Sequence, residues 1–90
     1  MDQQRLRQLL EQLHTELSQT QPPDAEARAQ LKDLMTEVQV ILERADETSE
    51  QQYRSLNDRL RQSIQQFERS HPQLTWAMGE VLEILSRSGV

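Results

Sequence analysis

The sequence predicts an all-α protein, a small antiparallel bundle of four amphipathic helices. Two observations lead there. Apolar residues recur three or four apart in four separate blocks, and the residues between them are mostly Gln, Glu, Arg or Ser. That spacing puts one apolar stripe on each helix, which must be buried against the others. The second observation is punctuation. Pro22-Pro23, Asp46-Glu47-Thr48-Ser49 and Ser70-His71-Pro72 separate the blocks, and each is a place where a helix stops or starts.

Helix 1 is expected to begin after Asp2, a favourable N-cap, and to run to about Ser18. Its stripe is Leu6, Leu9, Leu10, Leu13 and Leu17. Paired prolines cannot continue it, and each pushes the preceding residue out of the α region. Helix 2 is expected from Pro23 or Asp24 to about Arg44, with Asp24 and Glu26 at the positive end of its dipole. Leu31, Leu34, Met35, Val38, Ile41 and Leu42 form its stripe.

A capping box, Ser49 with Gln52 or Thr48 with Gln51, opens helix 3. Tyr53, Leu56, Leu60, Ile64 and Phe67 are its buried face, and it is expected to reach about Arg69. Ser70 with Gln73 has the same spacing and would start helix 4, whose stripe is Leu74, Met78, Val81, Leu82 and Leu85. The apolar register also runs unbroken from Tyr53 through His71 to Leu85. A single helix kinked at Pro72 would therefore keep the seam on one side. An interior proline costs about 3 kcal/mol or more, so a corner between two helices is preferred. Gly89 supplies the left-handed residue of a C-terminal cap, which would let Val90 touch Leu85.

Ninety residues suit one domain, expected over 1–90. Apolar residues are 34% of the chain, with Trp76, Tyr53 and Phe67 its aromatics. A domain of this size buries only about two-thirds of its unfolded surface, so a second copy would add stability. A homodimer is the expected state. The net charge is −5 and the sequence pI near 4.9, with no basic run. Phosphate neutralisation carries most nucleic-acid affinity, so the composition argues against DNA, RNA and anionic membrane surfaces. No stretch reaches the roughly 20 apolar residues of a bilayer span. The N-terminus lacks a secretory h-region. There is no cysteine, hence no disulfide and no thiolate chemistry. A cytoplasmic protein is expected.

Candidate chemistry is sparse. Glu11-x-x-His14 has the spacing of a di-iron ligand pair, but both residues fall off the apolar stripe, and the other histidine, His71, stands at a helix boundary. His71 is read as filling the seam at the corner, although histidine before proline could also serve as a pH-sensitive group. No nucleophile–base constellation and no glycine-rich phosphate loop is present. No catalytic residue, metal site or cofactor is expected, and the chain is read as a non-enzyme. Arg7 with Glu11, and Arg54 with Asp58, are four apart and read as solvating pairs.

Trp76 stands out. It lies about 160° around helix 4 from the centre of the stripe, with Gly79, Glu80, Glu83 and Arg87 on the same outer face. A large aromatic beside a glycine suits a contact surface. Trp76 is also in the first turn, where it could fold over the preceding loop or the end of helix 1. Trp76, Gly79, Glu80 and Glu83 are the candidate interaction surface, for a second copy or for a protein partner. Val40 is a lone apolar residue on the outer face of helix 2. The alternative function is a small-molecule-holding bundle, with an apolar slot lined by Met35, Met78 and their neighbours.

Leu9-Leu10-Glu11-Gln12-Leu13-His14, the corner Phe67-Glu68-Arg69-Ser70-His71-Pro72-x-Leu74, and the closing Leu85-x-x-x-Gly89-Val90 together resemble a family of short bacterial proteins, domain-of-unknown-function family 4404. The resemblance spans nearly the whole chain. It implies a bacterial, stand-alone helical protein, and it brings no activity, substrate or catalytic residue with it.

Overall fold

A computed structural model describes residues 3–89. Four helices follow one another: α1 (Gln3–Gln19), α2 (Ala25–Glu43), α3 (Glu50–Phe67) and α4 (Pro72–Arg87). Their stripes meet in one core. Leu13, Val38, Leu56, Leu60, Met78, Val81 and Leu85 are completely buried. Met35, Leu42, Ile64, Leu82 and Ile84 pack around that centre at its edges. α1 packs against α2 and α4, and α3 against the same two helices, so consecutive helices are neighbours and the last closes onto the first. The α1–α4 and α3–α4 contacts are the most extensive, and α2 touches α3 least. The reason lies on the flanks. α4 offers Ala77 and Ile84 on one side of its stripe and Thr75 and Leu82 on the other. Between α2 and α3 stand the polar side chains of Asp33, Glu37, Arg59 and Gln66.

Side-chain oxygens set the starts of α2 and α3. The Ala27 N–H donates to Asp24 Oδ1 at 2.8 Å, which makes Asp24 the N-cap of α2. After α2 comes a 3₁₀ turn at Ala45–Glu47. Of the two possible boxes at the third start, the structure forms Ser49 with Gln52. The Gln52 N–H donates to Ser49 Oγ at 3.2 Å, and the Ser49 N–H donates to Gln52 Oε1 at 2.8 Å. Asp24→Ala and Ser49→Ala are each expected to cost about 1 kcal/mol, read as a lower urea midpoint at unchanged slope. The Asp2 cap and the Val90 contact lie outside the described residues.

The α3–α4 connection is a corner. One unbroken helix from 50 to 87 would be about 57 Å long at 1.5 Å per residue, and the whole molecule is 34 Å in its longest dimension. Two expectations need correction here. α3 stops at Phe67, two residues short of Arg69, and Ser70 does not cap α4. Proline has no N–H and takes the first helical position, so the cap falls on the residue before it. His71 holds that place in a non-helical conformation, with no side-chain cap bond. Gln73 then stands at the second helical position, where the box from Ser70 cannot close. Ser70 Oγ lies instead 2.8 Å from His71 Nδ1. At the far end Gly89 adopts φ +82, the left-handed conformation expected of it.

Candidate interaction face on the last helix

α4 buries Leu74, Ala77, Met78, Val81 and Leu85 against α1 and α3. Its opposite side is left to solvent, and Trp76 sits there at 56% exposure. The indole therefore does not close over the α1 end or the loop. Gly79 and Glu80 are half-buried beside it, and Glu83 is exposed one turn further on. Arg87 donates to Glu83 Oε1 at 2.6 Å. The face thus carries an indole with one N–H donor, two carboxylates that accept, and a bare stretch of backbone between them.

Gly79 is informative because its own fold does not require it. It has no left-handed backbone, and a Cβ added there would meet nothing within 4 Å. Glycine inside a helix is about 0.8–1 kcal/mol less favourable than alanine. The monomer gains nothing in return.

The other marked residues are accounted for locally. Glu11 is exposed and paired with Arg7 at 3.2 Å. His14 is half-buried, and its carbonyl accepts from the Ser18 hydroxyl at 2.9 Å. Among the described residues, no three His, Asp or Glu side chains converge. His71 is half-buried and meets the Phe67 ring edge-on, with centroids 5.7 Å apart, so it fills the seam at the corner. Arg54 pairs with Glu50 at 2.9 Å rather than with Asp58. A glutamate one turn N-terminal to its cation is the better-oriented partner. Val40 is 39% exposed, as a lone outer residue.

Met78 is completely buried in the core, and Met35 lies on the α1 flank of α2, within 3.6 Å of the Ser18 hydroxyl. An apolar crevice does open near Leu6, Leu10, Ile41 and Tyr53, away from both methionines. It holds about 10 Å³, no more than one water needs. A larger opening, which the stripes gave no sign of, lies between α2 and α3. It holds about 90 Å³ and is walled by polar side chains. Beside it Arg59 Nε meets Glu37 Oε2 at 2.7 Å. Helical periodicity shows which face is apolar. It does not show how far apart two polar flanks will stand.

Helix order, core and punctuation define the class: a small four-helix bundle in which each helix neighbours the next and the last returns to the first. No helix is long and apolar enough to cross a membrane among the described residues. The chain belongs to the family described as Domain of unknown function (DUF4404), whose match covers residues 6–90. No curated protein and no solved structure matches it.

Proposed function

We propose that the protein acts by binding, and that its first partner is a second copy of itself, docked through the outer face of α4. The observation that carries this reading is the exposed Trp76 beside a glycine that the monomer does not need. A helix-borne glycine lets another backbone come close, and a tryptophan next to it supplies the large apolar area typical of a contact centre. Charge fits the same picture. Two α4 helices related by a two-fold axis between Gly79 and Glu80 set Trp76 of one copy opposite the partner's Glu83. The indole N–H then has a carboxylate to donate to, and each Glu80 faces the partner's Gly79 rather than another acid. Closed two-fold pairs are the commonest symmetric assembly.

Light scattering across a concentration series tests this. The wild type should shift from monomer to dimer as concentration rises. Gly79→Ala should raise the melting temperature by about 4–8 °C, the equivalent of about 1 kcal/mol in a domain of this size. Gly79→Gln should remain folded and lose the dimer, because a long side chain holds the two backbones apart. A wild type that stays monomeric throughout the series overturns the reading.

A further inference from the structure

The seam between α2 and α3 changes character along its length. Next to the connection over 44–49 it is apolar: Ile41 and Tyr53, both buried, stand on one crevice. Further along, Arg59 of α3 reaches Glu37 of α2. Beyond that pair the flanks are polar. Gln30 and Asp33 on α2 stand across from Gln62, Ser63 and Gln66 on α3, and the opening of about 90 Å³ lies between them. Leu34 is the core side chain reached through it. The α2–α3 packing is also the least extensive of the four helix pairs, whereas α1–α4, on the opposite side of the bundle, is the most extensive. Local opening is cheapest where apolar contact is thin.

The pair that links the two helices is costly to hold. The Glu37 side chain is 19% exposed, so its charge is largely out of water. One oxygen takes the Arg59 N–H, and the other, Oε1, is buried with no protein donor. Desolvation offsets much of the attraction in such a pair, and apolar side chains of similar volume often hold two elements as well or better. A link of this kind adds little to the closed state and is broken at a single point. We propose that the bundle opens at this seam, with Glu37 and Arg59 as its latch. α2 and α3 part at their Gln30 and Gln66 ends and pivot beside Ile41 and Tyr53. The movement uncovers Leu34 and Ser63 and leaves the α1–α4 seam intact.

Relaxation dispersion on the methyl- and amide-labelled full chain reads opening on the microsecond-to-millisecond scale. Exchange is expected at the Leu34 methyls and the Ser63 amide, with one shared rate, and not at Ile41, Val81 or Leu85. Arg59→Gln should raise the open population about tenfold, the usual scale of losing a hydrogen bond to a charged group. The Val81 and Leu85 methyls should stay quiet in that variant. Glu37→Leu combined with Arg59→Met exchanges the latch for an apolar contact. It should flatten the dispersion at Leu34 without lowering the urea midpoint. Flat profiles at Leu34 in both the wild type and Arg59→Gln overturn the proposal. So does exchange at Val81 and Leu85 with the rate seen at Leu34, which is unfolding of the whole bundle, and so does a double variant that opens as the wild type does.

Discussion

Phe67→Ala should lower the stability of the bundle by about 3–5 kcal/mol, the range for emptying a buried aromatic site. Phe67 is the largest of the fully buried side chains and ends α3 where the chain turns into α4. Its ring also meets the edge of His71. Truncation therefore removes core volume and loosens the corner together. Ninety residues at about 0.05–0.15 kcal/mol each give a total of about 5–13 kcal/mol, so one substitution would take a large share of it. Urea unfolding followed by helical circular dichroism reads the effect as a fall in midpoint. A loss under about 1 kcal/mol would mean that the corner collapses onto the gap without cost.

Trp76→Ala should do the reverse. Its side chain is more than half exposed, so stability should stay within about 0.5 kcal/mol of the wild type. Self-association should weaken about 30-fold, the equivalent of about 2 kcal/mol at a contact centre. Val40→Ala is the matched control, an exposed apolar residue on α2 with no glycine beside it. It should leave both quantities unchanged. A dimer equally tight in wild type and Trp76→Ala would move the interface off this face.

The helices were legible because their signals are local. Leu6 to Leu17 repeats at helical spacing, and all five leucines are buried. Asp24 and Ser49 cap as their chemistry demands. What escaped depends on distance between helices. Ala27, Asn57, Ser63, Thr75 and Ala77 are buried with the core, because small or polar residues also fit where two flanks converge. Arg61 holds Asn57 Oδ1 at 3.0 Å, which makes that burial affordable in hydrogen bonds. At Ser70 the spacing of a capping box was present, and the missing N–H of Pro72 moved the cap by one residue. The Trp76 face was readable as an off-stripe position, and whether the indole would lie over its own chain was decided by the fold. The α2–α3 cleft had no signature in either flank alone.

The extensive packing of α1 against α4 bears on how the protein is made. On the ribosome, α1 emerges first and one of its two main neighbours last. At about 5–20 residues per second, roughly 3–14 s separate the synthesis of Gln19 from that of Arg87. Throughout that interval the leucine face of α1 has only α2, and later α3, to cover it. The nascent chain thus presents an apolar helix to its surroundings until α4 has been made, and the bundle closes as a unit once that helix is free.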